Sequence, residues 1–166
     1  RKRKKRSGRA GKKRYNMKTI ASFTVDHDKI KPGMYISRVD GDVTTFDLRT
    51  RVPNAGDYMD NRTMHSVEHM LATFLRNGEI GPHVLYFGPM GCQTGFYLLT
   101  RSLSPQEVKK ALVAAILSVL SYEGPVFGAS RKECGQYQNL SLADAQKECR
   151  AYLPYLLERE GFSYDA

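Results

Sequence analysis

The stretch that decides the fold is Thr63-Met64-His65-Ser66-Val67-Glu68-His69-Met70-Leu71-Ala72-Thr73-Phe74-Leu75-Arg76, closed by Asn77-Gly78. At 3.6 residues per turn, Met64, Val67, Leu71 and Phe74 fall on one stripe, so the segment reads as a helix with that stripe in the core. His65, Glu68 and His69 share a different face and bring two imidazoles and a carboxylate into one small volume. An i, i+4 histidine pair can hold one divalent ion and leave positions for a third ligand and an exchangeable one. The carboxylate beside the pair reads as a base more than as a ligand. The bland alternative is two satisfied surface histidines flanking a solvated glutamate.

Upstream, Met34 to Val39 and Val43 to Arg49 are strand-like runs around Asp40-Gly41-Asp42, a hairpin signal. Ile20 to Val25 is also β-prone, so the first three elements are expected to be antiparallel β. Asp26-His27-Asp28 reads as a polar loop, and Arg51 to Arg62 as the loop that delivers the chain to the histidine helix. Downstream, Pro82 to Phe87 and Phe96 to Thr100 are strands flanking a glycine-punctuated turn with Cys92 at its apex. Ser104-Pro105-Gln106-Glu107 opens a helix by capping box, with proline at its first position. That helix runs to about Tyr122 and is stopped by Gly124-Pro125. A third helix begins after Ser141, and Pro154 should kink or end it. This order of elements predicts a single α+β domain, a mainly antiparallel sheet packed against helices.

At 166 residues and 41% hydrophobic, the chain is long enough for one core and short for two. Its formal charge of +9 is local: Arg1 to Asn16 carries ten Lys/Arg and no acid, leaving 16 basic against 17 acidic residues in Met17 to Ala166. Residues 1–16 therefore read as a disordered basic leader or tag-like tail, and 17–166 as the folded domain. Such a tail can bind nucleic acid electrostatically, but the nearly neutral domain does not make nucleic acid the expected partner. No apolar run approaches membrane-spanning length and the tail lacks a signal peptide's apolar core, so a cytoplasmic protein with no membrane partner is expected. Three cysteines fit a reducing compartment, where thiols act as ligands or catalysts.

Cys134 lies in the polar Glu133-Cys134-Gly135-Gln136, which favours a ligand role over packing. His65, His69 and Cys134 would form a tetrahedral site with one open position, the pattern of a catalytic metal centre. A divalent ion with two neutral imidazoles and one thiolate keeps a net +1, enough to stabilise an oxyanion at that position. Cys92 is either a proton-shuttling thiol near the cation or an inert buried one. Cys149 reads as packing and His83 as a polar strand end. His27 and Arg49 sit beside β runs, and either could be ordinary surface.

Together, His65-Ser66-Val67-Glu68-His69, Pro89-Met90-Gly91-Cys92-Gln93-Thr94-Gly95-Phe96-Tyr97, Cys134-Gly135, Ser22-Phe23-Thr24-Val25-Asp26-His27 and Phe46-Asp47-Leu48-Arg49 closely resemble the S-ribosylhomocysteine lyase (LuxS) family. The resemblance runs from about Met17 to about Glu160. It implies a homodimer with active sites at the subunit interface and one Fe(II) per subunit, with Zn(II) or Co(II) as substitutes, held by His65, His69 and Cys134. Ligand rules alone would have suggested zinc. It implies cleavage of S-ribosylhomocysteine to homocysteine and 4,5-dihydroxy-2,3-pentanedione, the autoinducer-2 precursor of quorum sensing and a step of the methyl cycle. It assigns Cys92 and Glu68 as the catalytic proton carriers, and Ser22, His27 and Arg49 as substrate-binding residues, some reaching from the partner. Two places depart from the family pattern. Tyr86-Phe87-Gly88 stands where the family writes Asp-Ile-Ser, and Thr50 stands where phenylalanine follows the arginine. The competing reading is an inverted-zincin metallopeptidase, because H-x-x-E-H reverses the common metalloprotease order. That class would need a downstream carboxylate ligand and would not need Cys92.

Overall fold

Gly41 takes φ +62° at the first of two loop positions, the left-handed conformation that a tight hairpin demands and glycine adopts without a Cβ penalty. Around it, β1 (Gly33–Asp40) and β2 (Val43–Arg49) pair antiparallel, with Asp40 opposite Val43. A second hairpin, β3 (Val84–Pro89) and β4 (Gly95–Arg101), joins through β4 to β2, giving the order β1-β2-β4-β3 with every pairing antiparallel. The structure, a computed structural model, describes residues 16–165; the basic residues 1–15 of the predicted tail and Ala166 lie outside the described residues.

Strand side chains alternate between faces. Phe46, Leu48, Phe96 and Leu98 join the apolar core, and Asp47, Arg49 and Tyr97 belong to the opposite face. Three helices cover the core face: α1 (Asn61–Asn77), α2 (Pro105–Ser121) and α3 (Leu142–Glu158). Helix α1 lies against β3, α3 against β1, and α2 packs on both helices. The predicted stripe of α1 is inside: Met64, Val67 and Leu71 are buried together with Met70 and Leu75. Phe74 is partly buried and meets Tyr122 and Phe127 edge-on. The α+β class, the single core and the capping box of Ser104 with Glu107 are as expected.

Two expectations need correction. Ile20 to Val25 is not a strand: Ala21–Phe23 makes one 3-10 turn, with Ile20 and Phe23 56% and 74% exposed. Strand propensity reflects fit to a half-buried pleated surface, and this segment pairs with no strand that would bury it. Pro154 does not end α3, since the helix continues to Glu158. The proline sits on the exposed face, as does Arg150 one turn earlier, whose carbonyl can turn to water. Tyr152 and Leu156 are buried on either side of it and hold the last turn in place.

Candidate metal centre and active site

Helix α1 starts because Asp60 caps it, its carboxylate accepting the Thr63 N–H at 2.7 Å. Two positions after Thr63 begins the half-buried face that carries His65, Glu68 and His69. His65 and His69 stack edge to face, with ring centroids 4.6 Å apart. The third group arrives from far along the chain. The loop after α2 returns across α1, where the Phe127 carbonyl accepts from His69 Nδ1 at 2.7 Å. A carbonyl can only accept, so Nδ1 carries the proton and Nε2 is left as a metal donor. Gly128 follows with φ +69°, and a Cβ there would lie 3.2 Å from His69 Nδ1. The loop then turns at Ser130, whose carbonyl accepts from the Glu133 and Cys134 N–H groups. This delivers Cys134 Sγ to 3.4 Å from His65 Nε2. The Gln136 N–H donates to the same sulfur at 3.4 Å.

The loop is fastened on its far side as well. Ser66, buried on α1, accepts the Ser141 N–H at 2.8 Å while donating to the Arg62 carbonyl. Asn139 donates to Asn61. The ligand atoms of His65, His69 and Cys134 all lie within 4.8 Å of one another. Two imidazole nitrogens and a sulfur at that spacing suit a divalent transition metal with an open position. The donor set does not select which one. Burial lowers the His65 pKa, with the neighbouring His69 adding to it, so this ring tends to stay neutral.

His65, Glu68 and Cys134 line one cleft of about 340 Å³ with Asn61, Met64, Pro89, Gly135 and Gln136. Burial raises the Glu68 carboxyl above the usual glutamate range. Cys92 stands exposed on the turn that follows Pro89. Its sulfur is 3.1 Å from Thr94 Oγ1 and 3.7 Å from Arg49 Nη1. Arg49 is itself gripped: Nε and Nη2 donate to the two oxygens of Asp47 at 3.1 and 2.6 Å, and Nη1 donates to Thr94 at 2.7 Å. Burial works against the Arg49 charge, but the Asp47 hydrogen bonds and charge outweigh it and hold the guanidinium above its ordinary pKa.

The order of these parts along the chain, and the parts themselves, are those of a known family: the model of S-ribosylhomocysteinase (LuxS) matches residues 20–161. The chain belongs to the LuxS family. S-ribosylhomocysteine lyases from Borreliella afzelii and Finegoldia magna are each 40% identical to it, over 89% of this chain and 99% of theirs. That from Desulfotalea psychrophila is 41% identical over 86% of this chain and 93% of its own.

Against the LuxS pattern, the sequence-predicted residues divide in two. His65, His69 and Cys134 are brought together, Glu68 lines the same cleft as His65 and Cys134, and Cys92, on the turn after the cleft residue Pro89, meets Arg49. Ser22 and His27 are not brought to them. His27 Nδ1 is 2.9 Å from the Val25 carbonyl, and no described hydrogen bond or ion pair ties either residue to the cleft. Their segment precedes β1, at the opposite edge of the sheet from β3. In the departing tripeptide, the Tyr86 phenol folds over Gly88, so that a Cβ at 88 would lie 2.0 Å from its oxygen. A serine there could not coexist with this tyrosine rotamer. Thr50 is buried with its hydroxyl against Met59 Sδ. Asp47, Thr94 and the Phe127 carbonyl escaped the sequence reading. The Asp47-x-Arg49 spacing, which puts both on one face of a strand, was the signal available for the first.

Proposed function

We propose that this chain cleaves S-ribosylhomocysteine to homocysteine and 4,5-dihydroxy-2,3-pentanedione by two enolisations and a β-elimination. The observation that carries the reading is the meeting of the His65, His69 and Cys134 ligand atoms within 4.8 Å beside a cleft that Glu68 also lines, in a chain that matches the LuxS family from residue 20 to 161. No described helix is long and apolar enough to cross a membrane.

The thioether at the sugar's C5 is a poor leaving group until a carbonyl stands at C3. The aldose carbonyl must therefore move down the chain twice, each time by loss of a proton next to a carbonyl and its return to the neighbouring carbon. One divalent cation per subunit, Fe(II) with Zn(II) or Co(II) as substitutes, would be held by His65, His69 and Cys134 and would supply Lewis-acid stabilisation of oxyanions. Cys92 as thiolate takes and returns the protons of the carbonyl shifts. Arg49 Nη1 lies 3.7 Å from that sulfur and sets a positive charge beside it. Glu68 removes the C4 proton, and the C5–S bond then breaks to release homocysteine. Burial raises its pKa, which makes the carboxylate a stronger base. Ser22 and His27 complete the pocket of the partner subunit in a homodimer, which accounts for their distance from this chain's own cleft.

The test is thiol release from S-ribosylhomocysteine by metal-replete protein, followed with a thiol reagent. Cys92→Ala and Glu68→Gln are each expected to lower kcat by about 100-fold or more, as loss of a positioned acid or base does. Undiminished release by both variants, or none by the wild type with its metal quantified, would overturn the reading.

A further inference from the structure

On the sheet face away from the helices, the buried Asp47–Arg49 pair has a third member. Tyr164 donates to Asp47 Oδ2 at 2.8 Å, the same oxygen that takes Arg49 Nη2 at 2.6 Å. The pair is nearly sealed, its side chains 2% and 3% exposed, so its geometry is set by these few contacts. Tyr164 is held in turn. Its ring stacks on Tyr35 at 4.7 Å with the planes 10° apart. Just before it, the Phe162 carbonyl accepts the Ile36 N–H at 2.8 Å, and Arg159 donates to the Ser163 carbonyl while its guanidinium covers the Tyr35 ring. Tyr164 lies past residue 161, where the match to the family model stops.

We infer that Tyr164 is a positioning residue, acting through Asp47 to fix the Arg49 guanidinium against the Cys92 sulfur. A carboxylate oxygen that accepts from two donors is oriented by both, and a guanidinium bound bidentate to that carboxylate has little freedom left. The phenol remains a donor over the working range, because burial and the Asp47 charge push its pKa up. The C-terminal segment thereby reaches the reacting end of the site without touching substrate. The role rests on the lyase reading only so far as Cys92 is the proton carrier.

The experiment compares Tyr164→Phe with wild type in the full-length, metal-loaded protein. It reads the rate of iodoacetamide alkylation at Cys92, resolved from Cys134 by peptide mass spectrometry, together with kcat and KM for thiol release. The phenylalanine keeps the stack on Tyr35 and removes only the donated hydrogen bond. Alkylation of Cys92 and kcat are each expected to fall about threefold to tenfold, the effect of losing part of one bond to a charged group, with KM within about twofold. Tyr152→Phe is the control, since it removes a different buried phenol bond, to the Gly33 carbonyl. It should lower the melting temperature and leave Cys92 alkylation unchanged. Wild-type alkylation in Tyr164→Phe, or equal slowing in both variants, would overturn the inference. Slowed alkylation beside a wild type that releases no thiol would keep the positioning role and sink the lyase reading, whereas thiol release with unresponsive alkylation would do the reverse.

Discussion

His69 can offer a metal only one nitrogen, because the other keeps its proton and donates it in a hydrogen bond to the Phe127 carbonyl. That arrangement depends on what is missing next door. Gly128 has φ +69°, and any Cβ would press on the His69 ring at 3.2 to 3.3 Å. Gly128→Ala is therefore expected to weaken metal binding about 10- to 100-fold, the range found when a ligand's outer partner is disturbed. Competition against a chelator would measure it. The His65, Glu68 and His69 set was legible from spacing alone, and Cys134 from its polar surroundings. The carbonyl that sets the tautomer was not, since a backbone oxygen has no letter in the sequence. Asp47 was quoted in a motif without a role, because a carboxylate two residues from an arginine on a strand reads as ordinary surface alternation. Only the burial of both reveals a pair, and breaking such a pair by removing one partner costs about 3–5 kcal/mol.

At the scale of elements, the metal site is only as well placed as the first turn of α1. Asp60→Ala should cost about 1 kcal/mol, as loss of an N-cap does. The Asp60 pKa is lowered, mainly by the Thr63 side chain and then by its backbone N–H. Its contribution is therefore complete above the ordinary aspartate value near about 3.9 and is lost as pH falls through the lowered one. Denaturant melts of wild type and variant should differ by a constant amount from neutral pH down to mild acid and converge below it. A gap that widens in acid would mean the cap is not the cause. The hairpins and the Ser104 capping box could be read directly, because turn and cap chemistry are local. Pro154 and Ile20 to Val25 could not. A proline's effect depends on which side of the helix meets water, and a strand needs a neighbour that the segment itself does not specify.

For the molecule as a whole, the separation of Ser22 and His27 from the cleft makes one chain an incomplete enzyme in the proposed reading. Mixing two inactive variants under exchange conditions tests this. Cys92→Ala paired with His27→Ala should recover about one quarter of wild-type thiol release, since half the dimers are mixed and each of those has one intact site. If both residues served the same chain's cleft, every site in a mixed dimer would carry one defect and no activity would return. The inverted-zincin alternative gives way here to the family match, which spans the sheet, the cysteine turn and the loop rather than one helix motif.

Cys134 is 65 residues or more from the histidines in order, and the segment that carries it, between α2 and α3, has one short 3-10 turn at Tyr137–Asn139 and no other regular element. A cation on these three side chains is thus a removable cross-link, closing a long ring in the way a disulfide does but open to a chelator. Stripping the ion should let proteases nick the stretch from Gly124 to Gln136 while the sheet and helices resist, and adding it back should restore protection. A cell short of the metal would then lose the protein as well as its turnover.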